Sequence, residues 1–357
     1  MRDLFRNIRV GYFYRLGTGG KRAENDYAIA RYAGTRGNDM IIAIASNVDE
    51  AGKWDVMTYF DNALMDIQTV GEIKELVAND YVTWKNSATL KAESGVPLAG
   101  GESVAITNFT YQQYLEKIEG YNFNAIGCPS NESAVKLLFS AFTRRMRDEQ
   151  GVKFQCVTYG NAADYEGVVN IMNKVLDEDA NEQDLVWWTT GVNAGTSVNR
   201  TATNSIYDGE FTVDCDYTQL EFERAITAGK FAFYRSGSSE MRVLSDINSL
   251  VTLSDDKNSD FQYNQTIRLL DQIGNDIAML FNTRYLGEVP NDADGRIALW
   301  SDIVRHHEQL QNIRAIQEFV PEDVTVEQGN NRRSVLVSDT VMPVNAMSFL
   351  YMTVKVA

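Results

Sequence analysis

Histidine is nearly absent from this chain, with two in 357 residues, His306 and His307. Neighbours on a helix point about 100° apart, so the pair is badly placed to ligate one metal and is expected to serve in the core or on the surface. Cysteine is scarce too. Cys128, Cys156 and Cys215 are odd in number, widely separated and free of CxxC spacing, which argues against a disulfide framework or zinc site and fits reduced thiols in a cytosolic setting. No apolar run reaches the ~18 residues of a membrane-spanning helix, and Arg2, Asp3, Arg6 and Arg9 interrupt the opening where a signal peptide would lie. The expectation is a soluble chain without membrane insertion or the usual secretory signal. Basic residues are outnumbered 33 to 49, for a formal charge of −16, and no Lys/Arg stripe with interleaved aromatics offsets that field. Such a surface repels phosphate, so nucleic acid is not expected as a partner.

Apolar residues, by contrast, make up 44% of the sequence, enough for two or three domains, each with its own core. Leu4, Phe5 and Ile8 have helical spacing, and Val10–Leu16 reads as a strand ending in the glycine turn Gly17–Gly20. From residue 23 to 101 the texture changes to short β-branched and aromatic runs, Met40–Ala45, Asp55–Phe60, Leu64–Val70 and Tyr81–Lys85, separated by Gly, Asn and Asp. This is a β-rich unit with at most a short helix, and Gly95–Gly101 suits its exit.

Helical signals then return. Thr110 with Gln113 forms a capping-box pattern, and Tyr111, Tyr114, Leu115 and Ile118 make an apolar stripe before Gly120. After a strand over Phe123–Cys128, a helix carrying Val135, Leu138, Phe142 and Met146 leads to a second strand, Lys153–Thr158. Alternating helices and strands predict a parallel sheet with helical crossovers, and the opening helix and strand would supply its first unit. The β-rich unit is then an insertion in an α/β core, an open sheet flanked by helices. Further on, Leu185–Ala194 pairs two tryptophans with small residues in a helix that packs closely. Thr218 with Glu221 is another capping box, Phe231–Tyr234 and Met241–Leu244 form a hairpin, and two amphipathic helices follow. The first carries Ile267, Leu270, Ile273, Ile277, Leu280 and Phe281; the second, over Asp294–Gln311, carries Trp300, Ile303, His307 and Leu310. Phe319–Glu327 and Ser334–Met342 are strand candidates. The expected domains are residues 1–21 as the first part of the core, 22–102 as the insertion, 103–332 as the rest of the core, and 333–357 as terminal strands and arm.

Catalytic motifs are missing. In Asp177–Asn181 the calcium-loop glycine position falls on Glu182 and the closing position on Trp188, and Asp292–Gly295 lacks the closing glutamate and suits a helix-capping turn. Gly17–Arg22 lacks the GxxxxGK[ST] spacing of a phosphate cradle, and no GxSxG, HExxH or zinc-spaced cysteine set occurs. No cofactor, no metal and no enzymatic activity are expected.

The closing stretch, Phe349–Ala357, alternates. Leu350, Met352, Val354 and Val356 share one apolar face of an extended chain, while Phe349, Tyr351, Thr353 and Lys355 share the other. It is a β-strand at a chain end, set off by Pro343, Val344 and Asn345, which either pairs within its own chain or leaves to complete a neighbour's sheet.

Several stretches, taken together and in order, resemble the tail sheath proteins of contractile phages and phage-like particles of Gram-positive bacteria. They are Tyr14–Lys21, Arg31–Asp39, Ala163–Val168, Asp246–Leu250, Ile267–Asp276, Gly287–Asn291 and Leu350–Val354. The resemblance implies an α/β core with an inserted, protruding β domain, in a virion structural protein of the tail that assembles in the bacterial cytoplasm. It also implies partners: further copies of the same chain in six-fold stacked rings, the tail tube protein, and baseplate and tail terminator proteins. Extended arms donate strands between subunits in this family, which favours an inter-subunit role for Phe349, Leu350, Tyr351, Met352, Thr353, Val354 and Val356, with Pro343 and Asn345 as the hinge. The helix over Asp294–Gln311 is similar to the family's tube-facing helix, with Arg296, Asp302, Arg305 and His306 as its contacts.

One departure stands out: family members carry an amino-terminal arm and further sheet before the helix with which this sequence nearly starts. A shortened or unusually short member is expected. Two other readings stay open, a tail or baseplate adaptor that does not polymerise alone, and a hydrolase with paired carboxylates in an apolar-walled pocket.

Overall fold

A computed structural model of the chain describes residues 2–17 and 19–355. These form two compact units, Phe13–Glu116 and the two flanking segments Met1–Tyr12 and Lys117–Ala357.

The unit Phe13–Glu116 is mostly β, with two 3-10 turns and most of one helix. Strands β1 (Ala28–Ala30), β2 (Met40–Ser46), β3 (Trp54–Phe60), β4 (Ala63–Val70), β5 (Val82–Trp84) and β6 (Glu93–Pro97) make an antiparallel four-stranded sheet in the order β4-β3-β2-β6 and a β1–β5 pair. Strand alternation builds the core: Met40, Ile42 and Ile44 point in with Val56, Val70, Val82 and Leu98, while Ile41, Met57 and Tyr59 take the other face. Asp61 and Asn62 both have positive φ, 49° and 63°, the backbone that a tight two-residue hairpin between β3 and β4 requires. Helix α1 (Asn108–Ile118) starts two residues before Thr110, whose hydroxyl bonds Thr107 rather than serving a capping box with Gln113.

In the other unit, β7 (Ala125–Gly127), β8 (Gln155–Tyr159), β9 (Val168–Ile171) and β10 (Lys230–Arg235) are parallel, and β11 (Met241–Ser245) turns back antiparallel on β10. Every residue of β9, and all of β8 but Tyr159, is buried, as befits a parallel sheet covered on both faces. Helices α2 (Ser133–Asp148), α3 (Leu185–Gly195) and α4 (Gln219–Thr227) pack on it. Trp188 of α3 lies edge-on to Tyr207 and Phe233, and the Thr218–Glu221 capping box opens α4.

The opening segment departs from expectation. Arg2–Arg6 is a 3-10 turn, and residues 10–16 run without strand pairing, so the parallel sheet begins at β7. Val10 is 71% exposed, so its run of large side chains marks no buried face. The turn lies instead on α3, where Asp3, wholly buried, accepts from the Tyr207 hydroxyl at 2.7 Å and the Glu210 amide at 3.1 Å.

The carboxyl-terminal third adds α5 (Asn264–Arg284), α6 (Ala293–Asn312) and two small antiparallel pairs. These are β12 (Ile316–Gln317) with β15 (Met342–Pro343), and β13 (Val324–Gln328) with β14 (Val335–Asp339). Of the strand expected over Phe319–Glu327 only the second half forms, as β13, because the 3-10 turn Pro321–Asp323 takes the first half. Leu269, Ile273, Leu299, Ile303, Leu310, Ile316 and Phe319 form its core.

Candidate functional site

Beyond Pro343 the chain forms no further strand among the described residues. Phe349, Leu350, Tyr351, Met352 and Val354 are 74–92% exposed, and Thr353 is exposed with them; Val356 lies outside the described residues. The strand expected from alternation therefore has no ladder partner among the described residues. Apolar side chains at that exposure, on a backbone with unused donors and acceptors, are a strand without a sheet.

The root of this arm is held firmly. Pro343 pairs opposite Ile316, and the Val344 amide donates to the Ala315 carbonyl at 2.9 Å. Gln265 donates from Nε2 to the Val344 carbonyl at 3.0 Å and accepts the Ala346 amide on Oε1 at 3.1 Å, while Thr266 donates to Asn345 Oδ1 at 3.2 Å. Both expected hinge residues, Pro343 and Asn345, are thus bonded to the body of the subunit.

What fixes Gln265 is the start of α5, buried on every side from Asn264 to Leu269. Asn264 donates to Asp246 Oδ1 at 2.9 Å, and Arg268 donates to Asp246 Oδ2 at 2.7 Å and to Asn193 at 3.0 Å. Burial alone would push the Asp246 carboxyl up, but the Arg268 guanidinium and the hydrogen bonds from Arg268, the Ala202 amide and Asn264 outweigh it and hold the group below its ordinary value. A second buried pair, Arg147 with Asp271 at 2.5 and 2.8 Å, ties α5 to α2.

Helix α6 brings Asp302 and Arg305 together but sets Arg296 apart from them. Arg296 donates to the carbonyl and side chain of Asn291, both at 3.1 Å. Asp302 gathers Arg284 at 3.2 Å, the Tyr285 hydroxyl at 2.8 Å and Arg305 at 3.0 Å; burial, then this hydrogen bond, pushes Tyr285 up to about 12. His306 Nε2 meets Asp276 at 3.0 Å. Arg296 and Arg305 are half a turn out of phase at about 100° per residue, so the set does not form one patch. Each is satisfied inside its own chain. His307, wholly buried, meets Asp339.

Sequence reasoning missed Gln265, Thr266 and the His307–Asp339 contact. The available signal was the polar triplet Asn264-Gln265-Thr266 directly before the apolar stripe, which periodicity assigns to solvent. An open depression beside β2, β3 and β6, lined by Ile41, Met57 and Tyr59, carries one carboxylate, Glu93, held below its ordinary value by Lys91 and Tyr27. The paired carboxylates of a hydrolase are not assembled there.

Comparison with known proteins matches the chain in three stretches. Residues 19–103 match the phage tail sheath protein beta-sandwich domain, 105–249 the phage tail sheath protein central domain, and 256–357 the phage tail sheath C-terminal domain. The chain is 34% identical to the phage-like element PBSX protein XkdK of Bacillus subtilis, over all of this chain and 84% of that one. It is 28% identical to the tail sheath protein of the Clostridium phage phiCD119, over 63% of each. The crystal structure of a sheath tail protein from Desulfitobacterium hafniense superposes with a TM-score of 0.85 at 34% identity, covering 96% of this chain and 83% of that one. The chain belongs to the phage tail sheath protein family and is a structural subunit of a tail sheath.

Proposed function

We propose that this subunit polymerises around a tail tube by donating its terminal arm to a neighbouring copy, and that the sheath contracts by rigid-body rearrangement of subunits joined through these arms. The observation that carries the reading is the arm itself, alternating and apolar yet unpaired, on a root bonded into its own subunit. An added strand satisfies backbone groups on an exposed sheet edge, and Leu350, Met352 and Val354 set its register. Two-stranded sheets such as β13–β14 leave free edges of the kind that accept one. Contraction without disassembly then needs only that docked strands persist while bodies turn.

The reading includes six-fold stacked rings, a tail tube against α6 with Asp302, Arg305 and His306 toward one side of that helix and Arg296 toward the other, baseplate and tail terminator proteins at the ends, and assembly in the bacterial cytoplasm. It requires no catalysis and no cofactor. Residues 22–102 are the protruding domain and 333–357 the strands and arm.

Electron microscopy of the purified chain, with and without residues 347–357, tests it. Tubes or stacked rings that vanish on deletion are expected. Particles that stay monomeric in both, with folding intact by circular dichroism, would overturn self-assembly and favour a tail or baseplate adaptor.

A further inference from the structure

Three polar side chains in succession open α5, all at most 4% exposed. Asn264 is spent within the body, on Asp246 and Gln155. Gln265 is spent on the arm. Its amide donates to the carbonyl of Val344 and accepts from the amide of Ala346, the residues before and after Asn345. In a parallel β-ladder a strand residue does the same to the two neighbours of its opposite number. The side chain of Gln265 therefore acts as one peptide unit of a parallel strand laid beside Asn345, while Thr266 takes the Asn345 side chain.

We propose that Gln265 is the pin that sets where the arm begins, placing the pivot between Ala346 and Met347 and leaving Pro343 and Asn345 fixed to the body. This rests on the arm-donation reading, because a pin matters only if the segment beyond it moves. Pinning fixes length: residues 347–355 span about 30 Å at about 3.3 Å each, and releasing residues 344–346 would add about 10 Å of slack. It also fixes register. A slip of one residue would turn Leu350, Met352 and Val354 to the opposite face of an acceptor sheet.

Hydrogen exchange by mass spectrometry on the full chain tests the pin in wild type, Gln265→Met and Ala346→Pro. The first substitution removes both side-chain bonds, and the second removes the donated amide from the arm side without touching the core. In wild type, residues 344–346 are expected to exchange at least about tenfold more slowly than 349–354, as one retained hydrogen bond implies. Gln265→Met is expected to erase the protection of the Ala346 amide, while the Val344 amide, held by the Ala315 carbonyl, and the rest of α5 stay protected in both variants. An Ala346 amide that exchanges as fast as 349–354 in wild type overturns the pin, as does unchanged protection of that amide in Gln265→Met. Sedimentation of the same samples separates the two ideas. Protected 344–346 without assembly supports the pin and overturns arm donation; assembly with unprotected 344–346 does the reverse.

Discussion

His307 and Asp339 meet at 2.8 Å, Nε2 to Oδ2, and the imidazole is wholly buried. Its Nδ1 lies 2.9 Å from the Ile303 carbonyl and its ring packs on Phe319, centroids 5.0 Å apart. The contact joins α6 to the end of β14, just upstream of the arm root. Asp339→Leu leaves the buried Nε2 without its hydrogen-bond partner, so a loss of about 1–3 kcal/mol is expected. Urea unfolding measures it, and an unshifted midpoint would remove this contact from the anchoring of the arm.

Asp246 gives a pH dependence whose sign follows from its depressed carboxyl. A group held below its unfolded value contributes stability that is present above about pH 4 and is lost as pH falls through the folded value. Arg268→Met strips the main compensation and leaves a buried carboxylate, at an expected cost of about 3–5 kcal/mol near pH 7. In that variant burial pushes the carboxyl up, so acidification toward about pH 5 should recover part of the loss. Urea midpoints across pH for both proteins check this, and parallel curves would count against Arg268 as the compensating charge.

Gly191 and Gly195 of α3 are where the amino-terminal turn comes closest. A Cβ on Gly191 would sit 2.4 Å from the Leu4 carbonyl oxygen, and one on Gly195 2.0 Å from that of Asn7. Alanine at either site must push the segment off the helix, for about 1–3 kcal/mol. Limited proteolysis is expected to cut the first ten residues sooner in both variants, and wild-type cleavage rates would show that the segment tolerates displacement.

Much of the framework was legible because local chemistry and tertiary demand agree. The capping box at Thr218 with Glu221, the hairpin of β10 and β11, and the Asp292 cap of α6, whose Oδ1 takes the Gly295 amide at 2.9 Å, are set by nearby residues. The opening strand was misread because extended, aromatic-rich residues look alike whether they join a sheet or run across a surface. Gln265 was hidden for the opposite reason. A buried amide that imitates backbone has no period and no motif, and its partners lie 79 and 81 residues away. The hinge at Pro343 and Asn345 was drawn from the break in pattern, and nothing local reveals that those residues are bonded to α5 and β12.

The arm gives a prediction that separates strand addition from loose hydrophobic contact. Leu350, Met352 and Val354 share a face, while Tyr351 and Thr353 point the other way. If the arm docks as a strand with its apolar face inward, Met352→Asp should raise the concentration needed for assembly by about ten- to a hundredfold, the equivalent of losing about 1.5–3 kcal/mol of side-chain burial. Thr353→Asp should change it little. Sedimentation across a dilution series reads both values. The two substitutions add the same charge one residue apart at exposed positions, so net charge, solubility and subunit folding are matched and only the alternation differs. Equal weakening by both would mean that the arm binds as an unstructured apolar tail, and the strand geometry would have to be abandoned even if the arm proved essential.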